Sequence, residues 1–104
     1  MRSIDSIPAV IDAYDAYLIL ERGLSDNTRE AYVRDVGKLV RYLETEKVTL
    51  REVTTDTLRA FAADLFDLGI SPRTQARIVS GIKSFFRFMK LEGYLDSNPS
   101  LLLE

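Results

Sequence analysis

Residues 71–93 read SPRTQARIVSGIKSFFRFMKLEG, a run punctuated as one long helix. Ser71 is a good N-cap, and Pro72 follows at the first helical position, where a missing N–H costs nothing. Ile78, Val79, Ile82, Phe85, Phe86 and Met89 recur at helical spacing and form a core face. Gly93 and Tyr94 supply the left-handed stop. At about 100° per residue, Arg73, Arg77, Lys83, Arg87 and Lys90 share one arc of roughly 140°. Only Ala76, Ser80 and Ser84 lie between them, apart from Leu91 at the end. Residues 71–91 hold five Lys/Arg and no acid, inside a chain of 104 residues with 14 Lys+Arg, 16 Asp+Glu and a net charge of −2.

The same grammar repeats upstream. Ile7, Ile11, Tyr14 and Leu18 predict a first helix over about 8–22, with Pro8 in its first turn and Gly23 as its stop, Leu24 packing back on Ile19. Ser25 caps a second helix, about 26–45, with Tyr32, Val36, Leu39, Val40 and Leu43 on one face and Arg34, Lys38 and Arg41 on the other. Residues 46–53 read as a loop. Thr54 or Thr55 caps a third helix carrying Leu58, Phe61, Ala62, Leu65 and Leu68, stopped by Gly69 and Ile70 with Leu65 as packing partner. Residues 96–99 predict a turn into the apolar tail Leu101-Leu102-Leu103, and no strand pattern is visible. Shifting the chain by 46 residues aligns Gly23-Leu24-Ser25 with Gly69-Ile70-Ser71, Thr28 with Thr74 and Arg41 with Arg87. The polar faces of helices two and four therefore occupy equivalent positions.

Composition excludes several chemistries. The chain has no His and no Cys, which removes the commonest general base, thiolate nucleophiles and the usual zinc ligands. No metal or cofactor is expected. There is no disulfide framework, no signal-peptide pattern at the start and no apolar run long enough to span a membrane, so a cytoplasmic location is expected. One all-α domain over residues 1–104 is the natural count at this length.

An ordinary solvated helix face mixes signs, because like charges at i, i+4 destabilise a helix. A uniformly basic face points to a polyanionic partner. The small residues among its cations let the backbone approach a nucleic-acid surface while the long side chains reach phosphates and guanine edges. An alternative is pairing of this face with acids of helices one and three, namely Asp12, Asp15, Glu21, Asp56, Asp64 and Asp67.

Leu24-Ser25-Asp26-Asn27-Thr28-Arg29-Glu30-Ala31-Tyr32-Val33-Arg34-Asp35-Val36 closely resembles the L-S-x-N-T-x-x-A-Y-x-x-D-L signature of the N-terminal core-binding domain of tyrosine recombinases, the Xer and phage-integrase family. At the far end Ser71, Ala76-Arg77, Ser80, Lys83, Phe85-Phe86, Glu92-Gly93 and Asn98-Pro99 are similar to the family's second motif. The resemblance covers essentially the whole chain, in order. It implies a four-helix SAM-like orthogonal bundle of two helical hairpins, with a short C-terminal helical tail. Helices two and four are then expected to enter the major groove of a recombination half-site in double-stranded DNA. The family's chemistry belongs to a separate C-terminal catalytic domain, absent from this chain, so no catalytic residue is expected here. Tyr14, Tyr32 and Tyr42 sit on or beside apolar faces, Tyr94 follows the glycine stop, and Tyr17 is expected to be partly exposed. Partners implied are DNA, that catalytic domain and other recombinase protomers in a synaptic tetramer.

Carrying the family's contacts over gives Asn27 and Thr28, then Arg77, Ser80 and Lys83. The helical wheel adds Arg34, Lys38, Arg41, Arg73, Ser84 and Arg87, and Thr74 joins Thr28 at a helix N-terminus suited to phosphate. Arg77, Ser80 and Lys83, mid-helix, are the expected base-edge contacts, and Lys38, Arg41 and Arg87 the phosphate contacts. Arg77→Glu with Lys83→Glu is expected to abolish DNA binding and leave helicity unchanged. Gly37 and Gly81 inside helices each cost about 1 kcal/mol relative to Ala, and point to close approach by another helix or by DNA. Competing readings are a SAM-like protein-interaction module docking an acidic partner and, less well suited to the paired basic helices, a helix-turn-helix regulator.

Overall fold

A computed structural model describes residues 2–21 and 23–104. Four helices follow one another: α1 (Ile7–Leu20), α2 (Asp26–Glu46), α3 (Thr55–Asp67) and α4 (Pro72–Leu91), with a 3₁₀ turn at Leu50–Glu52. Among the described residues there is no strand. Each helix is started by a hydroxyl side chain that accepts from the backbone three residues on: Ser6 from Ala9, Ser25 from Thr28, Thr54 from Thr57 and Ser71 from Thr74. Such caps satisfy donors that have no partner within the helix.

The stops are more varied than the glycines predict. Gly69 and Gly93 adopt φ +83° and +79°. Behind them Ile70 N–H reaches Leu65 O at 3.1 Å and Tyr94 N–H reaches Met89 O at 2.9 Å, the bond pattern of a Schellman stop. α2 ends the same way without a glycine: Lys47 takes φ +57° and Val48 N–H bonds Leu43 O at 2.9 Å. α1 departs from expectation. Its cap is Glu21 in extended geometry, so the helix closes after Leu20, and Arg22 lies outside the described residues. Ile19 is exposed and Leu24 packs on the core, so the expected Leu24–Ile19 lock is replaced by burial of Leu24.

α4 is the centre of the core. Ile78, Ile82, Phe85, Phe86, Phe88 and Met89 are fully buried among α1, α2 and α3. Phe88, outside the predicted core face, is covered because α1 packs on α4's flank. Its ring lies 5.5 Å from Tyr14, 5.2 Å from Tyr17 and 5.9 Å from Tyr94. Burying such a side chain contributes on the order of 2–3 kcal/mol. Val79, predicted as core, is only half-buried. α1 is tied to α2 by Arg29 and Asp15 at 2.6 Å, and the Asp15 carboxylate raises the Arg29 guanidinium above its ordinary value.

Residues 92–104 form consecutive turns rather than the expected helical tail. Asn98 Oδ1 accepts from Ser100 N at 2.9 Å and Ser100 Oγ at 2.6 Å, a side-chain bond that competes with helix formation. The tail is nevertheless anchored. Thr55 Oγ1 donates to Pro99 O at 2.8 Å, and Ser100 and Leu103 are buried, leaving Leu101 and Leu102 exposed.

Candidate nucleic-acid interface

The first turns of α2 and α4 are built alike. Ser25 accepts from Thr28 N at 3.1 Å and donates to Thr28 Oγ1 at 3.0 Å. Ser71 accepts from Thr74 N at 3.2 Å and donates to Thr74 Oγ1 at 3.1 Å. Both serines are therefore spent on capping, and the threonine amides with them. Their electrostatics differ. α2 opens on exposed Asp26, whose charge opposes a phosphate, whereas the first turn of α4 holds no acid and carries exposed Arg73. The helix dipole favours an anion at the N-terminus of each helix, but only α4 leaves it unopposed. Asn27 is exposed beside Asp26.

Further in, the two helices meet at a buried acid. Asp35 of α2 is 0% exposed. It accepts from Arg77 Nε and Nη2, both at 3.0 Å, and from Lys38 Nζ at 3.0 Å. Parallel N–H bonds from a guanidinium to both oxygens of a carboxylate give the strongest and most directional ion-pair geometry. The hydrogen bond to Asp35 raises the Arg77 guanidinium above its ordinary value. Arg77 and Lys38, expected as separate DNA contacts, are thus joined through Asp35. Arg77→Glu would set a second carboxylate against this buried one, so reversing Arg77 is expected to cost stability as well as DNA binding. Two of the acids proposed to neutralise α4 from helices one and three are engaged elsewhere: Asp15 holds Arg29 and Asp56 holds Arg59. Among the described residues, the ion pair between α4 and these acids is that of Glu21, with Arg87 Nη2 at 3.8 Å from Oε1.

Asp35 is legible in part from the sequence. At about 100° per residue it falls roughly 40° from Leu39, at the margin of the apolar stripe. An acid there must be either exposed by a gap or paired.

Ser80, Lys83, Ser84 and Arg87 line one open groove of about 490 Å³, walled by Glu21, Leu24 and Tyr32 on one side and by Asn98, Ser100 and Leu101 of the tail on the other. Within it Ser84 is not free for a ligand alone. The buried Tyr14 hydroxyl lies 3.0 Å from Ser84 Oγ and 3.3 Å from Gly81 O, and burial pushes that phenol up from its ordinary value. Tyr17 donates to Glu21 Oε1 at 2.8 Å. Its phenol is also raised, first by burial and then by the Glu21 carboxylate. Lys38 and Arg41 line a different groove, with Tyr42, Phe61 and Asp64. Arg34, Arg41, Arg73 and Lys90 are exposed and Lys83 half-buried, and among the described residues none is paired with a carboxylate. The tail's share in the groove of Ser80, Lys83, Ser84 and Arg87 has no counterpart in helical periodicity.

The two helical glycines separate into different cases. A Cβ on Gly81 would lie 3.2 Å from Tyr32 Cδ1 and 3.5 Å from Tyr32 Cα. Gly81 therefore serves the α2–α4 contact, and the approaching body is a helix. A Cβ on Gly37 would meet only Arg41 Nη1, at 3.6 Å.

Among the described residues no helix is long and apolar enough to cross a membrane. Residues 11–93 match the family described as phage integrase, N-terminal SAM-like domain. The chain is 33% identical over 96 residues to tyrosine recombinase XerD of Staphylococcus haemolyticus and 35% identical over 95 residues to tyrosine recombinase XerD of Pseudomonas putida, covering 91% of this chain and 32% of each relative. It is 36% identical over 98 residues to tyrosine recombinase XerC of a Mycobacterium species, covering 92% of this chain and 33% of the relative. The chain spans about a third of the length of these relatives.

Proposed function

The chain belongs to the family of phage-integrase N-terminal SAM-like domains, and from that membership we propose that it is the DNA-binding domain of a site-specific tyrosine recombinase or integrase. In this reading α2 and α4 face the duplex, with α4 in the major groove. Cutting and rejoining DNA through a phosphotyrosyl bond is the work of a catalytic domain elsewhere in a longer protein, acting with other protomers in the bacterial cytoplasm. The five tyrosines of this chain serve packing.

The observation that carries the reading is the charge of α4, five Lys/Arg without an acid, together with its engagement. Arg77 is held by Asp35 and Arg87 approaches Glu21, whereas Arg73, Lys83 and Lys90 have no carboxylate partner among the described residues. With Arg34 and Arg41 of α2, five cations remain for phosphate. Ser80 is exposed between them, at a position from which a base edge can be reached.

Fluorescence anisotropy of the chain against labelled duplexes over a salt series tests this. Five phosphate contacts predict a slope of log K against log salt near about −4.5. Absence of binding at low salt, or binding indifferent to salt, would sink the reading and favour a protein partner.

A further inference from the structure

A buried acid beneath a DNA-facing surface is electrostatically adverse, since its charge opposes phosphate, and its presence needs a compensating role. Asp35 is 0% exposed, and its three acceptor contacts come from cations of both helices of the surface: Lys38 of α2 and Arg77 of α4. The guanidinium of Arg77 is attached through Nε and Nη2. Nη1 has no partner among the described residues, and the Arg77 side chain is 39% exposed.

We propose that Asp35 is a positioning residue for DNA recognition: it locks the Arg77 fork so that Nη1 projects toward the duplex, and the same bonds, which cross from α4 to α2, fix the register of the two helices, while Lys38 one turn along α2 adds a third contact to the carboxylate. The proposal rests on the DNA-binding reading above. Arg77 is then a specificity contact whose orientation is set in advance, so little side-chain freedom is lost on binding. Lys83 and Arg73 lack such a lock and serve as adaptable phosphate contacts, Lys83 in place of the base-edge role its mid-helix position suggests.

Charge and positioning predict opposite signs for one substitution. Asp35→Asn removes a negative charge beside the DNA, so electrostatics alone predicts tighter binding, whereas loss of the lock predicts weaker binding. Affinity is measured per folded molecule, with circular dichroism as the folding check, on a duplex enriched by the wild-type chain from a randomised pool. We expect Asp35→Asn to bind this duplex about tenfold more weakly, with its preference over a scrambled duplex reduced and its salt slope unchanged. Arg77→Lys keeps the charge but cannot span both carboxylate oxygens, and the same loss is expected for it even if Asp35→Asn does not fold. Equal or tighter binding by either folded variant overturns the proposal and leaves the DNA-binding reading standing. Failure of the wild-type chain to bind any duplex at low salt overturns that reading instead, and the proposal with it.

Discussion

α2 and α4 share a first turn and diverge about two turns later. A shift of 46 residues brings Gly23, Ser25 and Thr28 onto Gly69, Ser71 and Thr74. Both glycines hold φ +83°, and both serines cap through the same pair of bonds. The same shift pairs Asp35 with Gly81. Each sits where the two helices meet, but Asp35 reaches across to Arg77 with a charged side chain, whereas Gly81 removes its side chain so that Tyr32 can come close. One interface thus has an ionic end and a steric end. Equivalent positions in similar helices are specialised by what faces them, and helical periodicity cannot reveal that.

The ionic end should be the more fragile. Arg77→Glu sets an uncompensated carboxylate against buried Asp35, and we expect a loss of about 4 kcal/mol or more in urea unfolding, against a total stability of about 5–15 kcal/mol for a native protein. Lys83→Glu, on the same helix but unpaired, should stay within about 0.5 kcal/mol of wild type while weakening DNA binding and lowering the salt slope by about 1. Equal destabilisation by the two would erase the distinction between the locked and the adaptable cation.

At the steric end, Gly81→Ala places a methyl against the Tyr32 ring and backbone. Overpacking costs about 1–3 kcal/mol and the helix gains about 1, so a net loss of up to about 2 kcal/mol is expected. Gly37→Ala meets only a flexible arginine tip and should be stabilising by up to about 1 kcal/mol. Thermal unfolding of the pair reads the difference in sign, and two stabilised variants would remove Gly81 from the helix contact.

The smallest effects sharpen the similarity. Ser25→Ala and Ser71→Ala should each cost about 1 kcal/mol, and by closely similar amounts, because the two caps make the same bonds. A cost confined to one of them would show that the repeat ends at the sequence.

Helices, caps and two of the glycine stops were legible because each is local: a hydroxyl and the amide three residues on, or a residue without Cβ at positive φ. Lys47 was not, since its left-handed turn is held by Val48 N–H on Leu43 O with no glycine to mark it. Phe88 was misplaced because its burial depends on α1 crossing a flank of α4. The candidate site was legible as a list of cations on α4 but not as an arrangement. The bond of Arg77 to Asp35 spans 42 residues and that of Ser84 to Tyr14 spans 70.

Sequence by itself determined that this is an all-α chain, which residues begin its helices, and that one helix carries unopposed positive charge. These depend on spacings of three or four residues. Tertiary structure alone decided which of those charges are held in place and which are left adaptable. Arg77 is locked by Asp35 and Arg87 approaches Glu21, while Lys83 and Arg73 remain unpaired with acids. A charge is fixed or adaptable according to what another segment places within a few ångströms of it, and only the packing of α1 and α2 on α4 sets those distances.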